Sequence, residues 1–286
     1  MKRLAMTGVV LGLLSTAFTQ DKPAQQSTPA TQAAPAPAAG KRPPQAKTQP
    51  EFEAYKAAVA STDAAALEKA ADDFAGKYPD SELRVMLYKA AMQSYQRTRN
   101  SEKIISMGRK ALAVDPDDPE ALVTVASELA EKTRDTDLDK DQRLDEAMKM
   151  AQKALTTVDT DVPIPPNTPQ AQVDAYKGQL RSFAYSISGT LEFKKDQFAQ
   201  AETDLRKSIE AYPAQPDPVV VLRLAIALDR QEKYADALKE ANRAVEMTQE
   251  GTPAGGLARQ ERDRLQQLVS KPAGSPPPPP ADKPKG

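Results

Sequence analysis

FAQAETDLRKSIEAYP, residues 198–213, puts Phe198, Ala201, Leu205, Ser208 and Ile209 on one stripe of a helix and stops at a proline. The stripe returns 36 residues later in YADALKEANRAVEM, residues 234–247. Aligned on the small residue that opens each stripe, Ala147, Ala201 and Ala237 are followed seven positions later by Ala154, Ser208 and Ala244, and then by Leu155, Ile209 and Val245. A second row of small residues lies upstream, at Ala126, Gly189 and Ala225, with Leu122, Tyr185 and Val221 four positions before them. Two stripes with small residues where they face each other describe a pair of closely packed helices, and their recurrence describes a repeated helical hairpin.

This arrangement resembles the tetratricopeptide repeat family, whose unit of about 34 residues carries a small residue in each helix and a proline near its end. FAYSISGTLEFKKDQFAQAETDLRKSIEAYP (183–213) matches with Tyr185, Gly189, Phe198, Ala201 and Pro213, and the next unit with Val221, Leu224, Ala225, Tyr234, Ala237 and Ala244. LYKAAMQSYQRTRNSEKIISMGRKALAVDPDD (87–118) keeps Tyr88, Tyr95, Ala111 and Pro116, but Met92 and Ile104 stand where small residues belong. That predicts helices held further apart in this unit. FEAYKAAVASTDAAALEKAADDFAGKYPDS (52–81) reads as a degenerate first unit ending at Pro79. The markers Leu67, Ile104, Ala147, Ala201 and Ala237 are 37, 43, 54 and 36 residues apart, so insertions interrupt the period.

The fold expected is therefore all-α, an α-α superhelix of stacked hairpins, with repeats 1–3 over 51–160 and repeats 4–5 over 171–250. Asp118-Pro119, Thr168-Pro169, Asp217-Pro218 and Thr252-Pro253 each set a capping side chain before a proline at the first helical position. DVPIPPNTPQ (161–170), with four prolines, forbids helix and reads as a bent joint between two halves. Residues 252–271 carry a charged run at 259–264 and only Leu257, Leu265, Leu268 and Val269 as large apolar residues, and read as a capping helix that closes the stack.

Outside the repeats, seven of the 25 prolines fall between Pro23 and Pro50 and seven between Pro272 and Pro284. Residues 20–50, rich in Ala, Pro and Gln, lack the apolar content to offset ordering entropy and read as a disordered linker; 272–286 read as a stiff polyproline tail, a linker or a ligand for proline-recognition domains. Residues 1–19 have the form of an export signal: Lys2 and Arg3, an apolar run from Leu4 to Leu14, then Ser15, Ala17 and Thr19 for cleavage. The expected location is the periplasm or cell envelope, with an inner-membrane anchor as the alternative if the signal stays uncleaved.

A net charge of −1 lacks the basic footprint of a nucleic-acid binder, and no contact with membrane is expected beyond the signal. The chain has no Cys and no His, which removes the usual zinc ligands, the thiolate nucleophile and the imidazole base. Neither a phosphate-binding glycine loop nor a Gly-x-Ser-x-Gly elbow is present, so no enzyme and no cofactor are expected; a Ser/Lys or carboxylate enzyme or a small-ligand binder is the alternative.

What the resemblance implies instead is a partner groove lined by the first helix of each repeat, for a protein segment held as an extended peptide or a helix. In this frame the lining comprises Lys89, Gln93, Gln96 and Arg97, then Val123, Thr124 and Ser127, then Phe183, Ser186, Ile187 and Thr190, then Leu222, Arg223, Ile226 and Arg230. The family's clamp for carboxylate termini is echoed only by Lys89 and Arg223, because Gln93 replaces an Asn and Thr124 supplies no amide. FAGKYPDSELR (74–84) is similar to segments of bacterial envelope repeat proteins that act in outer-membrane assembly or envelope constriction, which implies an assembly role. DTDLDKDQRLDE (135–146) spaces Asp135, Asp137, Asp139, Asp141 and Glu146 like a calcium loop, but Lys140 stands where that loop needs glycine and Gln142 where it needs an apolar residue, so no metal is expected.

Overall fold

Helices form wherever the stripes run. The computed structural model of the protein describes residues 40–270; the segments expected to be an export signal (1–19), the first part of a linker (20–39) and a polyproline tail (272–286) lie outside the described residues. Among the described residues there are eleven helices and no strand. Five hairpins follow one another: α1 (Gln49–Val59) with α2 (Ala64–Lys77), α3 (Leu83–Thr98) with α4 (Ser101–Val114), α5 (Pro119–Lys132) with α6 (Lys140–Thr157), α7 (Gln170–Lys194) with α8 (Phe198–Ala211), and α9 (Pro218–Asp229) with α10 (Tyr234–Met247). The single helix α11 (Pro253–Ser270) packs on α10 and α9.

Each helix packs on the next in the chain, and the odd-numbered helices also meet across hairpins: α1 with α3, α5 with α7, α7 with α9, α9 with α11. The even-numbered helices pack mainly on their chain neighbours, so the odd-numbered helices form the layer with contacts from hairpin to hairpin. The small residues explain the close approach. Ala126, Ala147, Ala201, Ala225, Ala237 and Ala244 are all fully buried, and a Cβ added to Gly189 would sit 2.8 Å from Leu205 Cγ. In the second hairpin, where Met92 and Ile104 occupy the usual small positions and are buried, the room comes from Gly108, one turn further along α4. A Cβ there would lie 2.3 Å from Val125 Cγ2 and 3.2 Å from Met92 Sδ. The small residue has moved by a turn.

Three hairpin turns share one geometry that carries no glycine. Arg99, Asp196 and Glu232 have φ of 58°, 58° and 61°, and the following N–H groups of Asn100, Gln197 and Lys233 donate to the carbonyls of Tyr95, Glu192 and Leu228. This is the six-to-one bond of a Schellman ending, with a side chain tolerated in the left-handed region.

Three of the four starts at which a capping side chain precedes a proline cap as expected. Asp118 accepts from the Ala121 N–H, Asp217 from Val219 and Thr252 from Gly255. Thr168 does not cap α7: its hydroxyl donates to the Pro165 carbonyl at 2.7 Å to close the proline-rich turn, and Pro169 takes the cap position. A second correction concerns the linker. Residues 40–48, expected to be disordered, pack against the helix ends: Lys41 exchanges two backbone hydrogen bonds of 3.0 Å with Val162 and Ile164, and Thr48 caps α1. Composition misleads there because the segment is held by charge and backbone contacts, with Ala46 its one packed apolar side chain.

The C-terminal helix buries Ala258 and Leu265 against α9 and α10 and leaves Leu257 and Val269 exposed. Arg264 reaches from it to Asp229 at the end of α9 and to Glu261. Both carboxylates are buried, and the guanidinium between them is the counter-charge that lets them be so.

Candidate partner-binding groove

The layer of odd-numbered helices brings the candidate groove residues into two polar groups. In the first, Lys89 of α3 points across to the start of α5, where its Nζ lies 2.7 Å from Asp118 Oδ2 and 2.8 Å from Glu120 Oε2. Asp118 is placed there because it caps α5, its other oxygen accepting from the Ala121 N–H at 2.8 Å. Glu120 also accepts from Gln93 Nε2 at 3.0 Å and from the Tyr176 hydroxyl at 3.1 Å. Burial works against the Lys89 charge, yet the carboxylates of Asp118 and Glu120 outweigh it and hold the ammonium above its ordinary range. The Glu120 carboxyl, likewise opposed by burial, is held below its ordinary range by Lys89. Tyr176 moves up, through burial first and then the Glu120 charge.

Lys89 and Gln93 are thus committed to the neighbouring hairpins. The sequence reading treats both as groove residues facing a partner; in the structure they knit α3, α5 and α7 together. Thr124 is buried, with its hydroxyl lacking a hydrogen-bond partner among the described residues, and belongs to the packing of α5. Ser127 is half-buried, and Arg97 is exposed, its guanidinium donating to Ser94 Oγ at 3.1 Å.

The second group lies at the C-terminal half of α7 and on α9. Thr190 Oγ1 donates to the Ser186 carbonyl at 2.6 Å and accepts from Arg223 Nη1 at 2.7 Å. Lys194, one turn beyond Thr190, donates to the Ala130 carbonyl at the end of α5 at 2.6 Å. Burial lowers the pKa of Arg223, with Asp217 and Glu131 acting in the opposite direction. Lys194 is lowered by burial first and then by the positive charge of Arg223. The Asp135 and Glu131 carboxylates act on Lys194 against that lowering. Arg230 ends α9 half-buried, its N–H donating to the Ile226 carbonyl.

The structure therefore joins Ser186, Thr190 and Arg223 in one place and Lys89 with Gln93 in another. Sequence reasoning missed Asp118, Glu120 and Tyr176 as members of these groups. Asp118 and Glu120 were legible only as a helix start, and Tyr176 lies on the part of α7 that precedes the repeat frame. In the acidic loop, Asp137 accepts from the Arg134 N–H and Asp135 pairs with Lys140. From Lys140 onward the chain is helix, with Glu146 turned to Arg109 at 2.8 Å. Among the described residues no group of three or more carboxylates is arranged to hold a metal ion, and no helix is long and apolar enough to cross a membrane.

The sequence matches no protein-family model and no curated protein. Among solved structures, the chain is similar to PilW, a widely conserved type IV pilus biogenesis factor, at 20% identity over 78% of this chain and 93% of that one, with a TM-score of 0.44.

Proposed function

We propose that the protein is a non-catalytic interaction scaffold of the bacterial cell envelope, exported by residues 1–19 and binding a peptide or helix of a partner protein in the inner groove. The observation that carries this reading is the pair Arg223 and Lys194. Burial lowers both cations and the Arg223 charge lowers Lys194 further, while a threonine hydroxyl and a backbone carbonyl accept from them, so the site gains when an anion arrives. An acidic side chain of the partner supplies that anion, with Ser186 and Thr190 beside Arg223 and Arg230 further along α9. The domain order follows from the sequence: signal, linker, three hairpins, proline-rich joint, two hairpins, cap and polyproline tail.

The test is crosslinking of the full chain in its own cells, with the attached peptides and the mature N-terminus identified by mass spectrometry. Arg223→Glu is expected to reduce recovery of the principal envelope partner about tenfold while leaving the helical circular-dichroism signal intact. Equal recovery with Arg223→Glu, or a chain found only in the cytoplasm, would sink the reading.

A further inference from the structure

The strap that leads into α1, residues 40–48, is held along one edge of the array by atoms from three connections between hairpins. From the α2–α3 connection, Glu82 takes Arg42 in a two-pronged pair, and the Asp80 carbonyl takes Lys47 Nζ at 2.8 Å. From the α4–α5 connection, Asp115 takes Lys41 Nζ with both carboxylate oxygens at 2.8 Å. From the α6–α7 connection, the Val162 carbonyl and Ile164 N–H pair with the Lys41 backbone, and Asp161 stands 3.9 Å from its ammonium. Gly40 fits because a Cβ there would lie 2.4 Å from Ile164 Cδ1 and 2.9 Å from the Val162 carbonyl.

Every element of peptide recognition is present on this edge: a backbone bridge that fixes register, carboxylates that read cations, and a contact that admits only glycine. Residues 40–47, GKRPPQAK, behave as the ligand. Pro43 and Pro44 favour the open conformation such a ligand needs. The strap also opens cheaply. Its charged side chains are partly exposed, with Lys41 at 39% and Arg42 at 60% of full accessibility, so it can leave the edge without unfolding a helix.

We propose that this edge is a peptide-binding site for an extended basic segment, occupied in cis by residues 40–47, and that a segment of the same chemistry displaces the strap in trans. The site is separate from the inner groove and independent of what that groove binds.

A labelled peptide of residues 40–48, GKRPPQAKT, tests it by fluorescence anisotropy against the full chain. The charge-reversed strap variant, Lys41→Glu with Arg42→Glu, is expected to bind the peptide at least tenfold more tightly than the unaltered chain, and adding Asp115→Lys is expected to abolish that binding. Hydrogen exchange at the Ile164 amide, bonded to the Lys41 carbonyl, reports independently that the strap has left. Release of Ile164 without peptide binding overturns the proposal, as does an Ile164 amide that stays protected in the charge-reversed chain. Gly40→Val, which displaces the strap sterically, repeats the measurement should charge reversal disturb folding.

Discussion

At Lys89 and Arg223 the same side-chain property, a cation on the inner face, meets two different fates. Lys89 finds Asp118 and Glu120 on the next hairpin and becomes part of the frame, whereas Arg223 donates to a threonine hydroxyl, with Asp217 and Glu131 opposing the lowering that burial imposes on it. Glu192 is the converse case, an anion with too little support. One of its oxygens is buried without a hydrogen-bond partner among the described residues, and its pKa is pushed up to about 7 by burial first and then by the Asp204 charge, against the opposing pull of Lys207. An ordinary glutamate titrates near ~4.3 in the unfolded chain, so the folded protein binds the extra proton across the interval up to about 7. Stability therefore falls as pH rises through that interval and levels off above it. Glu192→Gln removes the charge and keeps the shape. With solvent screening, it should gain about 1 kcal/mol at pH 8 and almost nothing at pH 4.5. A melting-temperature rise of roughly 2–4 °C at pH 8 only, read by calorimetry, is the expected outcome, and an equal rise at both pH values would refute it.

At the scale of a hairpin, packing depends on where the small residue falls. In the second hairpin that residue is Gly108, whose empty Cβ position is filled by Val125 of the next hairpin and Met92 of its own partner helix. Gly108→Ala should therefore cost about 1–3 kcal/mol in chemical denaturation despite the better helix propensity of alanine, because the added methyl meets Val125. Val125→Ala should restore part of the loss in the double variant, and strict additivity would show that the two do not touch. The periodic stripes and the cap residues Asp118, Asp217 and Thr252 were legible in the sequence because they are local. Gly108 was not, since the register that makes it matter depends on Met92, and a methionine at a small-residue position gives no sign of which neighbour yields. Nor were the turns at Arg99, Asp196 and Glu232 legible: their left-handed backbone is imposed by the two helices they join, where a glycine would have announced it.

Across the whole molecule, the division of labour was read less well than the architecture. Lys89 was visible as a groove cation, but its counter-charges Asp118 and Glu120 arrive from the next hairpin, and the strap at 40–48 was hidden by a composition that signals disorder. Stacked hairpins contact chiefly their neighbours, so stability should be distributed along the array instead of shared by one core. The end cap gives the sharpest view of this. Arg264 lies between the buried carboxylates of Asp229 and Glu261, and its pKa is raised by those two groups against the opposing effect of burial. Arg264→Met keeps the bulk and leaves two buried anions without a counter-charge, a loss of about 3–5 kcal/mol. In an array that loss stays local: hydrogen exchange should accelerate through α9, α10 and α11 while α1–α4 keep their protection. A uniform acceleration from α1 to α11 would mean instead that the hairpins fold as one cooperative body. The curvature of the groove would then be fixed by the whole chain, and a partner could not change it one hairpin at a time.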